Sequence, residues 1–281
     1  MTVAPAALLR SPSLAYDVTG SGPTLVLLHG LTHRRHAWDP IVDLLAEHRR
    51  VVTVDLPGHG ESPMSETDGN LLDAAIAELD QFLTDVTPAG ELPHVAGNSL
   101  GGWAALELAA RGRVRSATAL SPAGFAVNSL DHRRSLAIFT SLRASARLLG
   151  PEAASRAMQM KPSRSLMLGA FYGRPWLADA DAAQIDVRSL LENQVLDRAP
   201  AEAPTFSPVV DVTTPVTVAW GSRDMILPIY QAKRVLRTFP NAKLIKLRGL
   251  GHVPMQDDPK LVAEVLLSGS ATVAPRARRR K

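Results

Sequence analysis

The chain reads as an α/β protein: a mostly parallel central sheet flanked by helices, with an all-helical insertion. Three observations predict this. Short, continuous apolar runs recur along the chain, as strands buried on both faces do. Segments with one apolar face at helical spacing lie between them, so strand and helix alternate as in βαβ units with right-handed crossovers. Between about residues 124 and 208 the alternation stops and only helical patterns remain.

The expected strands are Leu25–Leu28, Val51–Val54, Leu92–Ala96, Ala117–Leu120, Val216–Trp220 and Leu244–Leu247. Pro40–His48 carries Ile41, Leu44 and Leu45 on one face. Leu71–Val86 repeats Leu72, Ile76, Leu79, Phe82 and Leu83, and Trp103–Arg111 follows the third strand. Tyr230–Phe239 and Pro259–Leu267 follow the last two strands. Within the insertion, Leu130–Leu149 sets Leu136, Phe139, Leu142 and Leu148 at helix spacing. Gly150-Pro151, Lys161-Pro162 and Arg174-Pro175 punctuate the remainder of the insertion. The expected organisation is therefore a core in two parts, residues 1–123 and 209–270, a helical lid over 124–208, and a tail over 271–281. Ala201–Pro208 serves as the linker back to the sheet.

Composition narrows the function classes. With 281 residues, 46% of them hydrophobic, the chain has enough apolar material for a sizeable core. It contains no cysteine, so disulfides, thiolate metal sites and a cysteine nucleophile are excluded. The formal charge is +4, but Arg276, Arg278, Arg279, Arg280 and Lys281 account for +5, which leaves −1 for all the rest. The folded body is near neutral and the basic character belongs to the tail, so no nucleic-acid partner is expected. The longest clear apolar run near the N-terminus, Thr24–Leu28, is far short of the roughly 20 residues that span a bilayer. A cytoplasmic protein with no integral membrane segment is the expectation.

The chemistry concentrates in a few loops. Gly97-Asn98-Ser99-Leu100-Gly101-Gly102 directly follows one strand and opens a helix. A serine hydroxyl is a poor nucleophile and must be presented to a base. A tight strand-to-helix turn presents it, provided that the residues two before and two after are small, as Gly97 and Gly101 are. Ser99 then sits at a helix N-terminus, which favours developing negative charge. The acid and the histidine should follow in that order. Only His132 and His252 lie beyond Ser99; His132 sits among Asp131, Arg133 and Arg134, where a solvated site is expected. His252, in Gly251-His252-Val253-Pro254, follows the last strand, and ligands bind at the carboxyl ends of parallel strands. Asp224 follows the preceding strand in Gly221-Ser222-Arg223-Asp224 and is the expected partner of the imidazole. Asp211 precedes that strand and would emerge at the opposite edge.

A tetrahedral oxyanion needs two aimed N–H donors. One is expected from Leu100, after the nucleophile. The other is expected from Leu31 in His29-Gly30-Leu31, where Gly30 permits close backbone approach. Of the loop histidines, His29 is a candidate for the substrate pocket. His29, His33 and His36 leave a strand on one loop with no nearby carboxylate or cysteine partner expected, so neither a metal nor a cofactor is expected.

Together His29-Gly30, Asp55-Leu56-Pro57-Gly58-His59-Gly60-Glu61-Ser62, the Ser99 turn, Gly221–Asp224 and Gly251-His252 resemble the α/β-hydrolase superfamily, in its lid-bearing branch. The resemblance implies a serine hydrolase with the catalytic residues Ser99, Asp224 and His252, and gives the Asp55–Ser62 turn a structural role. Relatives with an aspartate nucleophile, the haloalkane dehalogenases and epoxide hydrolases, do not fit Ser99. The function expected is cleavage of a carboxylic ester, or a related acyl bond, of a small to medium apolar substrate through an acyl-enzyme. The alternatives are hydrolysis of a carbon–carbon bond in a ring-fission diketone and a non-catalytic ligand-binding member of the fold. Gly97-Asn98-Ser99 resembles the carbon–carbon hydrolases, which usually carry tryptophan after the histidine; here Val253 stands there. Met158, Met160, Met167, Phe171, Trp176 and Val253 are further candidates for the pocket wall.

Overall fold

A computed structural model describes residues 9–10, 14–198, 204–206 and 212–271. Asp211, most of the 201–208 linker and the basic tail lie outside the described residues. One sheet organises the molecule. Its strands are β1 (Leu9–Arg10), β2 (Ala15–Thr19), β3 (Thr24–Leu28), β4 (Arg50–Val54), β5 (His94–Asn98), β6 (Ser116–Leu120), β7 (Val216–Gly221) and β8 (Lys243–Leu247). Their order is β1-β2-β4-β3-β5-β6-β7-β8. The pairs β1/β2 and β2/β4 are antiparallel, and the six strands from β4 to β8 run parallel.

The parallel strands inside the sheet have both faces covered, which is why they read as apolar runs, whereas the edge strand β8 is largely exposed. In β3, Leu25 and Leu27 enter one core cluster and Val26 and Leu28 the other, each at most 1% exposed. Burying four such side chains contributes about 1.5–3 kcal/mol apiece. On the Leu25/Leu27 face pack α1 (Asp39–Ala46), with Ile41 and Leu45, and α11 (Pro259–Gly269), with Val262 and Leu266. On the other face lie α2 (Leu71–Val86), α3 (Leu100–Ala110) and α9 (Ala232–Thr238).

Between β6 and β7 the chain forms α4 (Ser129–Leu149), α5 (Pro151–Ala157), α6 (Lys161–Leu168), α7 (Ala180–Glu192) and α8 (Val195–Arg198). Asn128 caps α4 by accepting from Asp131 N, and Asp179 caps α7 by accepting from Asp181 N and Ala182 N. Phe139, Ala146, Met158, Leu168 and Val187 of this insertion join the Leu25/Leu27 cluster, so it is packed onto the core. The short helix α10 (Pro254–Asp257) precedes α11.

Two sequence expectations shift. The third strand starts at His94 and runs to Asn98, directly into the Ser99 turn; Leu92 is half exposed. The hairpin of β1 and β2 has no counterpart among the expected strands, because Ala15–Thr19 buries only its first residue fully.

The β5–β6 register pairs His94 with Ser116, whose hydroxyl lies 2.7 Å from Nδ1. Burial, followed by the nearby Arg49 and Arg115, lowers the His94 pKa to about 4. Burial also holds His33 and His59 below the ordinary imidazole value. Since the folded values lie below the unfolded one, the unfolded chain takes up these protons first as pH falls. Stability is therefore full above about pH 6.5 and is lost progressively below it. The thermal midpoint is expected to drop by several degrees between pH 7 and 4.5. His94→Gln, measured over the same range, should flatten that slope; an unchanged slope would remove His94 from the account.

Candidate active site

Four loops at the carboxyl ends of β3, β5, β7 and β8 meet at one edge of the sheet. The sharpest bend follows β5. Ser99 has φ 56° and ψ −113°, a left-handed conformation that a non-glycine residue adopts at a cost of about 1–3 kcal/mol. The turn is closed by contacts that exclude side chains: a Cβ on Gly97 would lie 2.0 Å from the Gly101 carbonyl oxygen, and one on Gly101 2.1 Å from that of Leu28. Ser99 N donates to Leu120 O at 3.0 Å, and Gly101 N donates to His29 O at 3.1 Å, which ties the turn to β6 and to the end of β3. Leu100 N–H belongs to the first residue of α3 and so has no acceptor within the helix.

The loop after β3 approaches the serine at Gly30, where an added Cβ would sit 3.3 Å from Ser99 Cβ. The Gly30–Leu31 peptide is oriented from behind. Gly30 O accepts from His33 N at 3.0 Å and from His29 Nδ1 at 2.8 Å. Leu56 N donates to His29 Nε2 at 3.0 Å, so that nitrogen is the acceptor and Nδ1 carries the proton. Burial, then His59, lowers the His29 pKa to about 3, which keeps the ring neutral. In a trans peptide the N–H opposes the C=O, so holding Gly30 O aims the Leu31 N–H the other way. His29 thus supports the loop and does not reach the pocket, a correction to its candidacy there. Behind the loop, Arg35 N donates to Asp55 Oδ1 at 2.7 Å, and the Arg35 guanidinium pairs with Asp55 and Asp17. Removing one partner of so buried a pair would leave the other charge uncompensated.

His252 and Asp224 come together after β8 and β7. His252 Nδ1 lies 2.8 Å from Asp224 Oδ2, and both side chains are buried. Asp224 Oδ1 accepts from Ile226 N at 2.9 Å and Leu227 N at 2.7 Å, which fixes the carboxylate. Since a carboxylate only accepts, Nδ1 carries the proton and Nε2 is left as the basic nitrogen. The His252 loop is anchored from both sides. Asn98 Nδ2 donates to His252 O at 2.8 Å and Leu120 O at 3.1 Å, joining this loop to the residue before Ser99. Asp257 accepts from Gly251 N at 2.7 Å and Gly173 N at 2.8 Å.

Ser99, Leu100 and Leu31 border one cavity of about 450 Å³. Leu71, Leu72, Ala75, Ile76 and Leu79 of α2 and Trp103 and Ala104 of α3 form part of its wall. Leu136 and Phe139 of α4, Val195, Leu196, Ile226 and Leu227 add further apolar wall, and His59, Asn128 and Asp131 are among its polar members. His132 is half-buried at this wall, not on the open surface expected for it. No lysine or arginine borders the cavity among the described residues.

The remaining pocket candidates lie elsewhere. Met158 is buried in the core, Met160 and Trp176 are half exposed, and Val253 is fully buried. Met167 and Phe171 border a small separate recess beside His33 and Asp186. Phe171 packs its ring against Phe139, 5.6 Å between centroids, and meets the site through its backbone: His252 N donates to Phe171 O at 2.6 Å. Of these, Met158 and Phe171 are spent on packing in the core. Asn193 and Asp257, which the sequence did not single out, and Asn98 and His59, quoted there only within motifs, hold loops together over long stretches of chain. Among the described residues no three His, Asp or Glu side chains converge as a metal site requires, and no helix is long and apolar enough to cross a membrane.

Comparison with known proteins gives a consistent result. A pimeloyl-acyl-carrier-protein methyl ester esterase of Nitrosomonas europaea is 28% identical over 266 residues, covering 88% of this chain and 96% of that protein. The human monoacylglycerol lipase ABHD6 is 23% identical over 269 residues, covering 90% and 77%. Among solved structures, the esterase RhEst1 from Rhodococcus sp. ECU1013 superposes with a TM-score of 0.68 at 23% identity, covering 95% of this chain and 98% of that one, and so shares its fold. The model of the alpha/beta hydrolase family matches residues 25–265, and the chain belongs to that family.

Proposed function

We propose that the protein is a serine hydrolase that cleaves carboxylic esters of neutral, apolar acyl groups through an acyl-enzyme. The observation that carries this reading is the cavity: an apolar space with the strained Ser99 and the amide-bearing residues Leu31 and Leu100 on its wall. His252 Nε2 takes the Ser99 proton as Oγ attacks the ester carbonyl. The oxyanion accepts from the N–H groups of Leu31 and Leu100. The intermediate collapses with loss of the alcohol, which leaves with the proton from the imidazolium. Water, deprotonated by the same nitrogen, then attacks the acyl-enzyme, and the acid departs as Ser99 regains its proton. Asp224 holds the imidazole tautomer throughout. Helices α4–α8 act as the lid, with Leu136, Phe139, Val195 and Leu196 closing the cavity.

Kinship with an esterase and a lipase supports hydrolysis of an ester. Ring-fission diketones carry a carboxylate, and burying one without a cation is costly. The described wall carries the Asp131 carboxylate and no lysine or arginine, its basic side chains being His59 and His132, and this favours the ester reading over carbon–carbon cleavage. The test pairs a fluorophosphonate with a panel of p-nitrophenyl esters. The expected result is one covalent adduct on the Ser99 peptide, with octanoate turned over faster than acetate. A half-ester ending in a carboxylate should react at least about tenfold more slowly than its neutral analogue. A folded protein that takes no label and cleaves none of these esters would sink the reading.

A further inference from the structure

The loop that carries Leu31 is gripped from the helical insertion by one buried asparagine. Asn193 follows α7 and is 2% exposed. Its Nδ2 donates to Leu31 O at 2.5 Å, and its Oδ1 accepts from Leu196 N at 2.8 Å. These two partners assign the amide orientation, since a backbone N–H requires the oxygen and a carbonyl the nitrogen. Asn193 is itself fixed from α4: Arg143 Nη2 donates to the carbonyls of Asn193 and Leu191, each at 3.0 Å. The same guanidinium makes two 2.8 Å bonds to the Asp197 carboxylate.

The grip matters because of what precedes Leu31. Gly30 lets the loop come against Ser99, but a glycine restrains its own dihedrals least. Restraint has to come from the two peptide planes around Leu31. The carbonyl before it is held by His29 and His33. The carbonyl after it is held by Asn193, with His59 Nε2 2.7 Å away. Asn193 is the member of this set that comes from the insertion. Along the same seam, Arg34 reaches Ser189 Oγ at 2.7 Å and Glu192 Oε2 at 3.1 Å, but through its side chain, not through the Leu31 backbone.

We propose that Asn193 is a positioning residue for oxyanion stabilisation, acting through the Leu31 carbonyl, so that the helical insertion is part of the catalytic frame as well as a wall of the cavity. This rests on the reading of Leu31 N–H as an oxyanion donor. Asn193→Ala is expected to lower kcat for a p-nitrophenyl ester about 10- to 100-fold, less than the loss of a whole donor, with KM changed by less than about threefold. It should weaken by a similar factor the binding of an alkyl boronic acid, whose tetrahedral adduct with Ser99 Oγ places an oxygen in the oxyanion site. Glu192→Ala, at the exposed end of the same seam, should stay within about twofold of wild type in both measurements. A merely structural role would lower the thermal midpoint and leave boronate affinity of the folded protein unchanged. If the alanine variant does not accumulate as folded protein, Asn193→Asp keeps the size and the acceptor for Leu196 N while losing the N–H, and the same losses are expected. Folded Asn193 variants that match Glu192→Ala in kcat and boronate affinity overturn the proposal. Wild-type protein that binds no boronate and takes no fluorophosphonate overturns the serine reading and the proposal with it, so the wild-type arm tells the two failures apart.

Discussion

Replacing Ser99 with alanine is expected to lower ester turnover by about 10⁵- to 10⁶-fold and to abolish fluorophosphonate labelling. The loss should be chemical and not structural. Alanine keeps the Cβ, and with it the cost of φ 56°, while the contacts that shape the turn are made by the backbone of Ser99 and by Gly97 and Gly101. Thermal midpoint and cavity are therefore expected to stay close to wild type, so kcat reports the nucleophile alone. Residual activity above the uncatalysed rate would come from binding and from the two N–H donors, which need no hydroxyl. Turnover within tenfold of wild type would show that an activated water, and not Ser99, attacks the substrate.

The core strands were legible in the sequence because the strands inside the parallel sheet are buried on both faces, and Leu25–Leu28 is apolar at every position in consequence. The positions of Ser99, Asp224 and His252 were legible for a related reason. Parallel strands deliver their following loops to one edge, so finding the strands locates the loops. The cavity wall was not legible. Leu72, Ile76 and Leu79 show the spacing of any helix packed on a sheet, and only the tertiary arrangement decides that part of this face borders a space. The same limit misplaced Met158 and Phe171, whose apolar character is spent on packing. Asn193 had no local signature at all, since its partner Leu31 lies 162 residues away. Its significance arises only when a loop of β3 and the end of α7 are brought side by side.

Asp224→Asn is expected to cost about 10³- to 10⁴-fold in kcat/KM, with little change in stability. The direction comes from the hydrogen bonds around the carboxylate. Oδ1 faces two N–H donors, Ile226 N and Leu227 N, and Oδ2 faces His252 Nδ1. An asparagine has one oxygen and one NH₂ to place. Pointing the NH₂ at two backbone N–H groups would leave both donors unmatched in a buried setting, at about 1–3 kcal/mol each. The oxygen therefore stays with Ile226 and Leu227, and the NH₂ is turned to the imidazole. Nδ1 must then accept, the ring proton moves to Nε2, and the nitrogen that should draw the proton from Ser99 carries one already. Binding of a ground-state ester needs no particular tautomer, so KM should change far less than kcat. Fluorophosphonate labelling should slow with kcat, because it too begins with deprotonation of the hydroxyl. An Asp224→Asn variant that folds and retains labelling within tenfold of the parent rate would mean that Asp224 does not set the histidine's proton.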